Sequence, residues 1–273
     1  MASWSRSKMF LLALVLSASS GAALAEEQAA NLDQLIAGPQ RSQANRVRDP
    51  YRHPKETLQF FGLRDDMTVV EIWPGGGMWW TEILAPYLAE HGKLYEALPN
   101  PQSDEARNGN AAFAAKTAAA PQLYGKIVIT SLDGDKERIA PDNSADLVLT
   151  FRNLHDWVPN GSAEAALRAM YRALKPGGVL GIEDHRAASD QPQDPAVKSG
   201  YLREDYTIAL VEHVGFKFVA KSEVNANPKD TKDYSAGVWT LPPTLRLKDQ
   251  DRDKYVAIGE SDRYTMKFVK PAN

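Results

Sequence analysis

The chain has 273 residues, 43% of them hydrophobic and 25% charged, enough for one large domain with a full core. The formal net charge is −3 and there is no basic run, which argues against nucleic acid as a partner. There is no cysteine, so disulfides, thiolate catalysis and cysteine metal sites are excluded.

The N-terminus has the layout of an export signal. Arg6 and Lys8 precede an apolar run over 9–16, and small residues follow up to Ala23-Leu24-Ala25. Cleavage is expected before Glu26, delivering a periplasmic protein. The competing reading is an uncleaved anchor, but the apolar core is short for a span, so no stable membrane span is expected once the signal is removed. Losing residues 1–25 leaves 30 basic against 35 acidic side chains, a net charge of −5.

A short helix is predicted over 31–37, stopped by Gly38-Pro39. Residues 41–53, with Arg41, Arg46, Arg48 and Arg52, read as an extended polar arm. Pro54 opens a helix that Phe60-Phe61-Gly62 closes. From there strands and helices alternate. Strands are expected over 69–73, 93–98, 126–132, 146–151 and 179–183. Helices are expected over 78–90, 104–119, 163–174 and 203–214, and an antiparallel pair over 216–223 and 263–269. The pattern implies an α/β fold: a doubly wound, mostly parallel Rossmann-like sheet with a C-terminal antiparallel pair. The ligand crevice should open at the C-terminal ends of the parallel strands. The division expected is a signal peptide over 1–25, an N-terminal helical arm over 26–62 and the main domain over 63–273. Residues 225–262 form a long polar connection, either a lid or partner-binding excursion or a plain surface loop.

Three segments carry chemistry. In the first, Glu71 ends a buried strand and Trp73-Pro74-Gly75-Gly76-Gly77 leads into a helix. The dinucleotide fingerprint G-x-G-x-x-G is absent, which disfavours a nicotinamide oxidoreductase. S-adenosylmethionine fits better. Its carboxylate suits a helix N-terminus, and its cationic amino and sulfonium groups suit an acid such as Glu71. The second segment, Leu174-Lys-Pro-Gly-Gly-Val-Leu180, places Pro176 and Gly177 as a type II turn feeding a buried strand. The third, Asp146 to Trp157, carries Arg152, Asn153, His155 and Asp156 just past a strand end.

Together these segments resemble a class I S-adenosylmethionine-dependent methyltransferase over roughly residues 54–270. Residues 67–77 resemble the family's first motif, 144–155 its post-fourth-strand segment, 174–180 its L-K-P-G-G element, and Gly215-Phe216 the start of its sixth strand. The E-I-W-P-G-G-G form, the arginine-rich arm and the signal are most similar to a group of predicted exported bacterial methyltransferases. The resemblance implies S-adenosylmethionine held by Glu71, Trp73, Gly75, Gly76, Gly77, Glu96, Leu132, Asp133, Arg152 and Asn153. Two positions depart from the pattern. Trp73 stands where the motif has its first glycine, and Leu98 stands where the second strand normally ends in the acid that clamps the ribose. Glu96, two residues earlier on the same face, is the substitute candidate. Asp133 also reads as an ordinary turn former.

A base helps methyl transfer to a hydroxyl or an acidic carbon. The candidates are His155 with Asp156, and Asp184 with His185. His185, followed by Arg186, could equally cap its strand. No histidine spacing suggests a metal site, so none is expected. Trp73, Trp79, Trp80 and Trp157 gather near the crevice mouth, as an aromatic face for a cation or as core. Arg46, Arg48 and Arg52 either close the arm over an anionic substrate or form a solvated arm. Two functions compete: an exported methyltransferase acting on a small molecule, and an exported methyltransferase-fold binding protein without turnover. The acceptor and the oligomeric state are left open.

Overall fold

The computed structural model describes residues 31–132 and 138–272; the expected signal peptide and Asp133 lie outside them. Seven strands form one sheet: β1 (Thr68–Ile72), β2 (Lys93–Pro99), β3 (Val128–Leu132), β4 (Ala145–Phe151), β5 (Leu174–His185), β6 (Lys217–Ser222) and β7 (Arg263–Val269). Their order is β3-β2-β1-β4-β5-β7-β6. The β1–β2, β1–β4, β2–β3 and β4–β5 pairs are parallel, whereas β7 runs antiparallel between β5 and β6.

Among the described residues, the helices that accompany the sheet include α1 (Pro54–Phe61), α2 (Thr81–Leu88), α3 (Asp104–Ala119), α4 (Ala163–Ala173), α5 (Glu204–His213) and α6 (Arg252–Ile258). Alternation along the central strands sends side chains to two cores. Val70, Ile72, Val148, Leu180 and Ile182 pack with α4 residues Leu167 and Met170 on one face. Val69, Leu94, Leu147 and Leu149 pack with Leu58, Phe61, Ile83 and Leu84 of α1 and α2 on the other. Among the described residues, no helix is long and apolar enough to cross a membrane.

The expected α/β architecture and its antiparallel end are present. Three local expectations change. The helix after the glycines begins at Thr81, not at 78, because Met78 holds a left-handed φ of 53°. The fifth strand begins at Leu174, since Leu174 already pairs with Ala145, and the L-K-P-G-G turn becomes an irregularity within it. Gly177 still has φ 81°, a conformation that favours glycine.

The third change is the arm. Residues 41–53 are not extended but form two helical turns, Gln43–Arg46 and Asp49–Arg52. Ser42 caps the first by accepting from the Asn45 N–H, and Asp49 with Pro50 starts the second. Arg41 is buried in a bidentate pair with Asp49 (2.6 and 2.8 Å). The guanidinium groups of Arg41 and Arg52 lie over the Trp79 ring at 4.9 and 4.8 Å. The arm is therefore part of the packed structure.

Residues 225–262 are likewise ordered. They contain a 3-10 turn, Gly237–Thr240, and α6. The amide of Asn225 donates to Thr57, Glu183 and Thr265, and Asp230 accepts from Tyr201 and from the Asp262 N–H. These buried polar contacts fix the excursion over the strand ends.

Candidate active site

The glycine turn sits at the C-terminal end of β1. Trp73 has φ 51° and Gly75 φ 68°, so the chain leaves the strand through left-handed backbone. A Cβ on Gly76 would meet Ala112 and Gly109 of α3 at 2.9 and 3.2 Å. Only glycine lets that helix approach so closely. A Cβ on Gly75 or Gly77 would meet nothing within 4 Å, so the turn borders open space there.

The arm is fastened to this turn. The Asn45 side chain donates to the Gly77 carbonyl (2.8 Å) and to Glu82 (2.9 Å), while the Asn45 backbone carbonyl accepts from the Trp79 indole (2.8 Å). Lys116 joins the same Gly77 carbonyl and Glu82 at 3.1 and 2.5 Å. Sequence reasoning passed over Asn45 and Glu82. Their only sequence signal is polarity at positions that turn out to be buried.

Below the turn, Glu71 and Glu96 stand side by side on β1 and β2 and are 1% and 0% exposed. The Thr81 hydroxyl donates to Glu71 (2.8 Å), and no protein N–H or O–H reaches either oxygen of Glu96. Burial pushes the Glu71 carboxyl up to about 7, against the lowering hydrogen bonds from Glu96 and Thr81. Burial and then the Glu71 charge push Glu96 well above the usual carboxylate range. Two carboxyls buried side by side oppose each other's ionisation, so burial and mutual repulsion favour keeping a proton on the pair. The structure thus places Glu96 beside Glu71, within the strand and sealed from solvent.

The aromatic residues divide. Trp79 and Trp80 are core, Trp80 stacking on Phe151 at 4.1 Å. Trp73 is half-buried and meets Trp157 edge to face at 5.3 Å; the indole N–H groups of both are buried without an acceptor. The Leu132 side chain belongs to the core, leaving only its backbone for a ligand.

At the end of β4, Asn153 donates to the Ile72 carbonyl and to Thr150, both at 3.0 Å, tying this loop to the glycine turn. Arg152 holds φ 59°, and its backbone N–H donates to Glu183 at 2.7 Å. Three residues on, the pairing differs from the one expected from the sequence. His155 Nδ1 lies 2.7 Å from Asp184 rather than on Asp156, and its backbone N–H also donates to Asp184. Asp156 is 53% exposed and stands 3.6 Å from His155 Nε2. His185 instead meets the Ser261 hydroxyl through Nδ1 at 2.6 Å. Ser261 is 76 residues away along the chain, and nothing in the sequence announces it.

The two imidazoles are 4.7 Å apart, and their surroundings shift them in opposite directions. Burial lowers the His155 pKa, but the charge and hydrogen bond of Asp184 outweigh it, and the net direction is upward. Burial pushes His185 well down, reinforced by His155, Arg152, Arg263 and Arg52. Asp184 fixes the neutral His155 with its proton on Nδ1 and Nε2 available, as an orienting carboxylate does for a general base. Trp239 of the 225–262 excursion approaches the same ring at 6.2 Å.

His155, Asp184 and His185 each bring one ligand atom within 4.8 Å of the others, a set that could hold a metal ion. Asp184, however, already accepts three hydrogen bonds, and the charges of three arginines, Arg152, Arg263 and Arg52, act on the neighbouring His185. We read the trio as a hydrogen-bonded acid–base pair with a neutral neighbour, since that field opposes a cation.

A methyltransferase domain model matches residues 44–220, well over half of the chain, and the chain belongs to that family. No curated protein sequence matches it. Among solved structures it is similar to a SAM-dependent methyltransferase from Aquifex aeolicus, at 18% identity and TM-score 0.55, covering 89% of this chain and 98% of that one. It is also similar to phosphoethanolamine N-methyltransferase 2 of Haemonchus contortus in complex with S-adenosyl-L-methionine, at 13% identity and TM-score 0.55, covering 81% of this chain and 53% of that one. The [4+2]-cyclase SpnF shares the fold at 16% identity and TM-score 0.54, covering 81% of each chain.

Proposed function

We propose that this chain transfers the methyl group of S-adenosylmethionine to a small-molecule acceptor, with His155 as the base and Asp184 as its orienting partner. One observation carries the reading. The Asp184–His155 pair stands at the end of β4–β5, on the crevice rim that also bears the glycine turn. The family match supports the same class of reaction. The chemistry of the cradle fits the donor: open space over Gly75 and Gly77, two buried indole N–H groups without an acceptor, and an acid pair below. We assign Glu71, Trp73, Gly75, Gly76, Gly77, Glu96, Asn153 and the backbone at Leu132 to that cradle. Glu71 and Glu96 act through their field rather than by contact.

When bound, the sulfonium supplies an electrophilic methyl carbon. The chain's residues do the rest. The tied loops at Asn45, Gly77 and Asn153 hold the reactants in line. His155 Nε2 takes the acceptor's proton as the new bond forms, and the electron pair of the breaking C–S bond stays on sulfur. Neutral His185, fixed by Ser261, is free to hydrogen-bond the acceptor. Export under residues 1–25 is part of the proposal and rests on the sequence; N-terminal sequencing of the secreted protein, starting at Glu26, tests it. Calorimetry with S-adenosylmethionine and S-adenosylhomocysteine on residues 26–273 tests the donor. Saturable binding of both is expected, and no binding of either overturns the methyltransferase reading in favour of a binding protein for something else.

A further inference from the structure

A cluster of arginines lies over β5 and β7, and the reaction steps above leave it without a task. Arg48 and Arg52 of the arm both donate to Glu260, at 2.6 and 3.0 Å. Arg263 donates to Glu260 at 3.3 Å, to Glu183 at 2.9 Å and to the Tyr51 carbonyl. Arg152 is bonded to the Glu183 backbone, and its charge is felt at Arg52, Glu260, His155 and His185. Four guanidinium groups thus face two carboxylates, a net charge of +2.

The donors are not all used. Nη2 of Arg48, Nη2 of Arg52, Nε of Arg152 and Nε of Arg263 are buried without an acceptor. The Arg152 guanidinium makes no hydrogen bond or ion pair at all among the described residues. Arginine does not relieve such crowding by losing a proton, as a carboxyl can by gaining one. Unmet buried donors of this kind cost free energy unless something accepts from them. Arg52 and Arg263 are sealed, but Arg152 is half-buried and the Arg48 side chain is 22% exposed, so the cluster has an open side.

We propose that Arg152 and Arg48, backed by Arg52 and Arg263, form an oxyanion pocket for a carboxylate or phosphoryl group of the methyl acceptor. The proposal rests on the methyltransferase reading for the word acceptor; the pocket itself does not. Its place favours the acceptor over the cofactor's own carboxylate. Glu183, the carboxylate of the cluster on β5, lies two strands from β1, about 10 Å across the sheet, whereas Arg152 itself follows β4, the neighbour of β1. It also adjoins His155, where the acceptor must surrender its proton. An anion held there would bring a nucleophile toward Nε2 while the guanidinium fork fixes its orientation.

The test is calorimetric titration of residues 26–273 with inorganic phosphate and, separately, acetate, each with and without S-adenosylhomocysteine. Saturable binding of at least one anion is expected, and which of them binds more tightly tells phosphoryl from carboxylate. Arg152→Gln should weaken that binding by about tenfold or more and leave S-adenosylhomocysteine affinity unchanged. Arg48→Gln, at the open edge, should give a smaller loss in the same direction and serves if the first variant does not fold. No saturable anion binding, or binding that both variants leave intact, overturns the pocket. An equal loss of S-adenosylhomocysteine affinity in Arg152→Gln overturns the acceptor assignment and gives the pocket to the cofactor. Failure of S-adenosylhomocysteine to bind the parent protein counts against the methyltransferase reading alone, since the anion titrations are read without it.

Discussion

Like charges are buried together in two parts of this molecule, and the two parts resolve the conflict differently. Under the glycine turn, burial favours the protonated forms of Glu71 and Glu96, lifting Glu71 to about 7 and Glu96 well above the usual carboxylate range. Over β5 and β7, Arg48, Arg52, Arg152 and Arg263 keep their charges and draw Glu260 down to about 2, although burial alone would raise it. The acid pair adjusts internally and presents a mild negative field. The arginine cluster has no such option and leaves donors open. The crevice is therefore electrically divided. Its β1–β2 side suits a cationic donor, its β5–β7 side suits an anionic acceptor, and His155 stands between them.

The comparison can be broken at several points. His155→Ala removes the base at the divide and should lower turnover by about 10²- to 10⁴-fold while sparing S-adenosylmethionine affinity. Single-turnover rates beside calorimetry would check this, and full activity would remove His155 from the reaction. In the parent enzyme the rate should climb with pH as His155 deprotonates, through a pKa above the usual histidine range.

Glu260→Ala takes the counter-ion from three arginines at once. It should destabilise the fold by about 3–5 kcal/mol in urea unfolding at neutral pH. The sign in the parent protein follows from the depressed pKa. Glu260 contributes stability above its unfolded value, and that contribution is lost as pH falls toward about 2.

On the acid side the sign reverses. The Glu71 pKa is raised in the fold, so its contribution is greatest below the unfolded value of 4.5 and declines as pH rises toward about 7. Glu71→Gln should flatten the stability profile in that window by about 1–3 kcal/mol. An unaltered profile would mean that burial does not keep a proton on the pair. The smallest effect expected is from Asn45→Ala, which frees the arm from Gly77 and Glu82. A loss of about 1–2 kcal/mol in thermal unfolding would fit, and no change would show the arm to be held by its other ties, to Trp79, Glu260 and Arg263.

Much of this division was legible in the sequence, and the illegible part has a physical reason. Periodicity gave the central parallel strands, because burial on both faces imposes apolar runs, and the edge strand β6 by its alternation of exposed and half-buried residues. Glu71 and the glycines stood out because a strand end followed by glycine is a local pattern. The arm was misread as extended. Its basic residues look solvated until Asp49, Glu82 and, about 210 residues away, Glu260 are folded against them. The same holds for the base. The sequence offered Asp156 beside His155 and Asp184 beside His185, but adjacent residues on a strand or turn point apart. The partners that matter, Asp184 for His155 and Ser261 for His185, come from other segments. Glu96 was read as a substitute ribose clamp from its face alone; its depth beside Glu71 needed the β1–β2 register.

A crystal structure of residues 26–273 with S-adenosylhomocysteine and phosphate tests the divided crevice most directly. The account expects the cofactor product over Gly75 and Gly77, with a separate anion against Arg152 within reach of His155 Nε2. Finding the cofactor's carboxylate on Arg152 and Arg48, with no second anion beside it, would contradict the account.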